Sequence, residues 1–152
     1  MRTTLLASAC VIAAGIAAAS AEQSRTSIGV LTCTSGDSVA EGGAAESRMT
    51  CGFKPTGSGA EERYSGTLRM DGQAASAPSG KRVWVWAVIG PAKVPGGVLA
   101  QRYVAAARPT TGPAAAALVG ESNDAITLQA ETADGAVGTA TQIELKLLTT
   151  PA

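Results

Sequence analysis

Histidine is absent from all 152 residues. Its absence removes Ser-His-Asp and Cys-His catalysis and the commonest zinc ligand. General acid–base chemistry near neutral pH most often uses histidine, so an enzymatic reading is weakened from the start. Aromatic side chains are almost as scarce: Phe53, Tyr64, Trp84, Trp86 and Tyr103 are the whole set. A barrel of the outer-membrane kind wears aromatic girdles and uses tilted strands of about nine to eleven residues. This chain has too few rings, and most of its strand-like runs look too short. Charge of one sign is also lacking, with 12 basic and 12 acidic residues. Nucleic acid and anionic membrane surfaces call for clustered Lys and Arg, so neither is an expected partner.

The motifs of common chemistries are missing too. There is no Ser-x-x-Lys dyad and no Asp-x-Asp-x-Asp-Gly calcium loop. The stretch Gly90-Pro91-Ala92-Lys93-Val94-Pro95-Gly96 lacks the Gly-Lys-Ser/Thr ending of a phosphate loop, and its prolines remove backbone donors. Glu61 and Glu62 are adjacent, so on a strand they point to opposite faces rather than across a cleft, as paired glycosidase acids must. No metal site and no cofactor is expected.

What is present begins with an address. Arg2 supplies a short positive segment, Leu5 to Ala18 an apolar one, and Ala19-Ser20-Ala21 a small-residue cleavage site. The expected mature chain starts at Glu22, leaving one domain over residues 22–152 and a periplasmic or secreted destination. The apolar run is shorter than the roughly 20 residues a membrane-spanning helix needs. A lipoprotein leader ending at Cys10 is the rival, but its apolar stretch is too short and most of the hydrophobic segment would follow the cut. Losing Arg2 leaves eleven basic against twelve acidic residues, a net charge of about −1. Cys10 leaves with the leader, and Cys33 and Cys51 remain as one expected disulfide. A reactive thiol pair would favour Cys-x-x-Cys beside a helix start, which this spacing does not resemble.

The mature chain is a series of β-rich runs set apart by Gly, Pro, Ser and Asp: Ile28–Cys33, Arg48–Phe53, Arg63–Met70, Arg82–Ile89, Gln101–Ala106, Ala125–Glu131 and Gln142–Leu148. Ile126, Leu128 and Ala130 share one face of their run, as do Ile143, Leu145 and Leu147, the period-two pattern of a half-buried strand. Val83 to Ile89 is apolar on both faces and reads as a central strand. Asp71-Gly72 and Asp134-Gly135 are hairpin signals between candidate strands. The expected fold is all-β and mainly antiparallel, a small sandwich or barrel of about seven or eight short strands with one disulfide and little helix. Short helices are conceivable only at Ser38–Arg48 and after Pro113, through Val119 to Gly120.

Three sets of residues are candidate ligand or partner contacts. Trp84 and Trp86 share a face of the apolar strand and either line a pocket or fill the core. Tyr64 and Tyr103 carry the same ambiguity. Ser122-Asn123-Asp124 is either a polar recognition loop or a turn closed by its own side chains.

Several of these segments resemble a bacterial exported family called domain of unknown function 992. Ile28-Gly29-Val30-Leu31-Thr32-Cys33 is similar to its opening strand, and Met49-Thr50-Cys51-Gly52-Phe53-Lys54-Pro55 to the segment with its second cysteine. Glu62 to Leu68, Val85 to Pro91, Pro95 to Ala100 and Leu118 to Gln129 follow in the same order. The resemblance implies an exported protein of this length with the same cysteine pair, and no activity. The chain departs from the family pattern at Glu121 and Asp124, where Gly and Asn are expected. Taken together, the sequence points to a non-enzymatic envelope module that binds an envelope protein or small ligand, or plays a structural part. The alternative is a histidine-free enzyme built on Asp, Glu, Lys, Ser or Tyr.

Overall fold

A computed structural model describes residues 24–41, 44–71, 80–106, 117–131 and 140–148. The expected leader, residues 1–21, lies outside them, and so do Gly72 and the Asp134-Gly135 turn. Eight strands run in chain order: β1 Thr26–Glu41, β2 Ala44–Pro55, β3 Glu62–Asp71, β4 Arg82–Gly90, β5 Arg102–Ala105, β6 Ala117–Gly120, β7 Thr127–Ala130 and β8 Ala140–Leu147. They close into one antiparallel barrel in the order β1-β2-β3-β8-β5-β6-β7-β4. The choice left open between sandwich and barrel is thus resolved as a barrel.

The topology is two Greek keys in succession. A Greek key places its fourth strand beside its first, in spatial order 4-1-2-3. Here β4 lies beside β1 of the β1-β2-β3 meander, and β8 lies beside β5 of the β5-β6-β7 meander. The two keys join where β3 meets β8 and where β7 meets β4.

Alternation explains why the residues sort as they do. Along β2, Ala45, Ser47, Met49, Cys51 and Phe53 are buried, while Glu46, Arg48, Thr50 and Lys54 are exposed. With eight strands the interior of a barrel is just wide enough for side chains to fill it. All five aromatic residues are buried there, with leucines, isoleucines and methionines around them. Each large apolar side chain so removed from water contributes roughly 1.5–3 kcal/mol.

Cys33 and Cys51 stand opposite each other in the β1–β2 ladder and form a disulfide. Their Cα atoms are 4.0 Å apart, just below the roughly 4.4–6.8 Å usual for disulfides. Direct opposition accounts for this, since a narrow antiparallel pair already brings Cα atoms to about 4.5 Å. Trp84 flanks the bridge on β4 and Tyr64 on β3, so Trp84, Cys33, Cys51 and Tyr64 form one inward row across four strands. A bonded cysteine pair suggests an oxidising compartment outside the cytoplasm.

Two expectations need correction. The described residues of Ser38–Arg48 hold no helix: β1 continues to Glu41 and β2 begins at Ala44. An extra residue in β1 between Ser35 and Ser38 gives a bulge there, with Gly36 and Asp37 set against Arg48. Ala117–Gly120 is strand β6 rather than the end of a helix, because its alternate residues Leu118 and Gly120 are buried and it pairs with both β5 and β7. Pro113 itself lies outside the described residues. Strand length bears on the membrane-barrel question as expected for half of the sheet: β5, β6 and β7 have 4 residues each and β8 has 8, short of the roughly nine to eleven a membrane strand uses, while β1 to β4 have 16, 12, 10 and 9. The outward chemistry argues the same way: Glu46, Arg48, Lys54, Arg63, Arg69 and Lys146 are exposed on the outer face, where a lipid-facing band would be apolar.

The bridge closes a loop with a sequence separation of 18. Reducing it should lower the unfolding free energy by about 3 kcal/mol. Denaturant titration of oxidised and reduced protein checks this; equal midpoints would mean the ladder alone holds β1 to β2.

Candidate functional site

The four aromatic candidates do not converge on an accessible site. Trp84 is 2% exposed, and Trp86, Tyr64 and Tyr103 are fully buried inside the barrel. Each answers differently for its polar atom. Trp84 Nε1 donates to the buried Ser35 hydroxyl at 3.1 Å. Trp86 Nε1 has no hydrogen-bond partner. Tyr64 donates its hydroxyl to Glu62 Oε2, and Tyr103 to the Leu99 carbonyl at 3.3 Å. Burial above all, and then the Glu62 carboxylate, push the Tyr64 phenol well above its ordinary pKa. Burial pushes Tyr103 up to about 12, against a hydrogen bond from Gln101 that lowers it.

Ser122-Asn123-Asp124 forms a turn tied to the barrel from beneath. Asn123 Oδ1 accepts from the Ala125 amide at 3.1 Å, the self-closing turn its residue type favours. Gln101, 8% exposed, accepts the Ser122 and Asn123 amides on one oxygen at 3.0 and 2.9 Å. Arg25 donates to the Asp124 carbonyl at 2.6 Å. Glu121, one of the two departures from the family pattern, lies 3.8 Å from Arg102 in an exposed ion pair. The loop residues themselves are exposed.

Glu61 and Glu62 diverge as adjacent strand-end residues should. Glu61 faces water, while Glu62 accepts the Gly97 amide at 2.9 Å and the Tyr64 hydroxyl. Gly97 sits at φ +77°, a backbone state that side chains disfavour, and a Cβ there would meet Leu147 at 3.1 Å. Glu62 therefore clamps the Pro95–Ala100 loop onto β3. Among the described residues no group of three or more acids or cysteines is placed to hold a metal ion.

An accessible concavity lies elsewhere, on the outer face of β1, β2, β3 and β8, with a volume of about 780 Å³. Its floor is a cross-strand row, Thr34, Thr50, Ser65 and Lys146, each opposite the next in the ladders. A second row runs Arg48, Thr67, Glu144. Two local features make the sheet concave there. Gly66 stands at an inward position, where a Cβ would meet the Glu144 carbonyl oxygen at 2.6 Å, so β3 and β8 approach more closely than side chains allow. The β1 bulge bends the other wall, and its Gly36 lines the end of the groove. Glu144 is engaged by Arg102 at 3.4 Å and Lys146 at 3.5 Å. Arg48 and Lys81 make no ion pair with any described residue, so positive charge is in excess.

A protein-family model, described as Protein of unknown function (DUF992), matches residues 12–150. The chain belongs to this family. No curated protein and no solved structure matches it. The DUF992 assignment brings no activity and no ligand, so the site must be read from the side chains. Sequence reasoning missed the groove because it depends on register: Thr50, Ser65 and Thr67 are ordinary strand residues until pairing sets them side by side. It also missed Gln101 and Glu62. A buried Gln at a strand entrance carries no sequence signal, whereas the Glu62-x-Tyr64 spacing places both side chains on one strand face and is a signal for that pair.

Two outcomes follow from the buried rings. Trp84→Phe leaves the Ser35 hydroxyl without its donor, while Trp86→Phe removes an unpaired N–H. Trp84→Phe should be the costlier by about 1–2 kcal/mol, and either residue changed to Ala should cost roughly 3–5 kcal/mol. Chemical denaturation measures all four; a reversed order for the Phe pair would mean that Trp86 is hydrogen-bonded in solution. The tyrosines govern alkaline stability. Their folded pKa values lie above the unfolded value of 10.0, so their contribution is complete below pH 10 and is lost as pH rises towards 12 and beyond. Unfolding free energy measured against pH should fall in that window, and Tyr103→Phe should flatten the fall.

Proposed function

We propose that the mature chain is an exported envelope protein that acts by binding rather than by catalysis, and does so through the outside of its barrel. The filled interior carries this reading. A lipocalin-like ligand would need space inside the strands, and here that space is taken by the aromatic and aliphatic core. The one carboxylate lining the groove, Glu144, is held in ion pairs by Arg102 and Lys146 rather than left free to move a proton, and histidine is absent from the chain. Export rests on the leader-like residues 1–21 and on a disulfide that an oxidising compartment would preserve. The candidate contacts are then outward residues: those of the β1-β2-β3-β8 groove and, at the other end, the exposed Ser122-Asn123-Asp124 turn, with Trp84, Trp86, Tyr64 and Tyr103 supporting the wall from within.

The test has two parts. Mass spectrometry of protein recovered from the envelope or medium should give a chain beginning at Glu22; retained Met1 or a lipidated Cys10 overturns the export reading. Immobilised mature protein should then retain a component of the source envelope saturably and release it chemically unchanged. Release of an altered component establishes the histidine-free enzyme instead, and no retention removes the binding reading.

A further inference from the structure

The groove on the outer face of β1, β2, β3 and β8 has a chemistry that narrows its ligand. We propose that it binds an acidic oligosaccharide, with Arg48 and Lys81 holding anionic groups and the Thr34, Thr50, Ser65 and Thr67 hydroxyls meeting the sugar oxygens. The inference rests on the reading of this protein as a binding module and says what it binds.

Size is the first argument. A concavity of about 780 Å³ is far larger than a single ion needs and lies within the range of sites that hold multi-ring ligands. Composition is the second. The floor row contributes three hydroxyls before it ends in Lys146, and Thr67 adds a fourth from the row beside it. Each hydroxyl both donates and accepts, which suits a ligand that is itself dense in hydroxyl groups. Charge is the third. Glu144 already has two cationic partners, whereas Arg48 and Lys81 have no ion pair among the described residues, so the unmatched charge of the groove is positive. The Arg48 guanidinium can take a carboxylate or phosphate through two parallel hydrogen bonds. It stands opposite the β1 bulge, where Gly36 adds no side chain to obstruct approach and the exposed Asp37 makes no ion pair with it.

What the groove lacks is equally selective. All five aromatic rings of the protein are buried, so none is available to stack on a sugar face or a base. A neutral oligosaccharide would lose its usual platform, and single-stranded nucleic acid would lose the stacking that supplies much of its affinity. Hydrogen bonding and charge remain, and an anionic, hydroxyl-rich chain uses both. Because the groove is open and wet, binding should be weak and should fall as salt rises.

The experiment titrates isotope-labelled mature protein with tetragalacturonate, with maltotetraose and with inorganic phosphate, following backbone amides by NMR. Tetragalacturonate should saturate at roughly millimolar concentration or below, with shifts clustered at Thr34, Thr50, Ser65 and Thr67. Maltotetraose and phosphate should each bind at least about tenfold more weakly, since each offers only half of the chemistry. The double variant Arg48→Ala, Lys81→Ala should lose about tenfold in affinity with an unchanged melting temperature. Equal binding of maltotetraose overturns the role of charge, and equal binding of phosphate reduces the site to one for bare anions. Shifts outside the groove, or none, overturn the site. If an envelope component is still retained in that last case, the binding-module reading survives and only the saccharide assignment falls.

Discussion

Closing eight strands into one barrel creates an interior that must be filled, and this chain has five aromatic side chains with which to do it. All five are committed to the inside. Leu31, Leu68, Leu118, Ile126, Leu128 and Ile143 take up the remaining space, fully buried. The central row of Trp84, Cys33, Cys51 and Tyr64 shows how tightly the economy works: a disulfide occupies the two middle strands, and a large ring packs on each side of it. A covalent bridge in that row fills the space between the two rings. It also fixes β1 to β2, the pair on which the first Greek key is built.

Polar atoms enclosed by such a core need partners, and they find them both across the ladder and close by in the chain. Ser35 takes the Trp84 indole, Glu62 takes Tyr64, and Leu99 takes Tyr103. Glu62 and Gln101 each do a second task by binding backbone amides of a loop, Gly97 in one case and Ser122 with Asn123 in the other. The barrel thus holds its own rim in place with side chains that begin inside it. Trp86 is the exception, with a buried N–H that finds nothing. Hydrogen-bond geometry alone does not explain it; retaining a large indole where volume is scarce does.

The legible part of the fold was the part written in short-range pattern. Alternation in Gln142–Leu148 and Ala125–Glu131 marked β8 and β7, and the two-faced apolar run marked β4, which does sit between two neighbours, β1 and β7. The bonded cysteines followed from compartment and parity. The illegible parts depend on partners far away in sequence. Ser38–Arg48 offered a short helix, and β1 and β2 nevertheless take its described residues, because Val39 and Ala40 pair with Glu46 and Ala45 and so are held by the ladder rather than by local preference. Leu118 and Gly120 look helical beside Ala114–Ala117, yet Leu118 stands between Ala105 and Leu128 in neighbouring strands. The groove is the extreme case, since no two of its floor residues on different strands are close in sequence.

The scarcity that shapes the core also shapes the surface. A protein that keeps every ring inside has no exposed aromatic platform, and recognition on its outside must rely on hydrogen bonds, charge and the shape of the sheet. The shape comes from two modest devices, a missing side chain at Gly66 and an extra residue between Ser35 and Ser38. Both act on the strands that carry the hydroxyl row. Filling the Gly66 position would press against the Glu144 carbonyl and Leu145, on the strand that also presents Lys146. The inward glycine and the outward lysine are therefore linked through one backbone, and the concavity is a consequence of how the core is packed beneath it. An outer binding face in this fold is not an addition to a finished barrel. It is the reverse side of the solution by which a ring-poor sequence fills its interior.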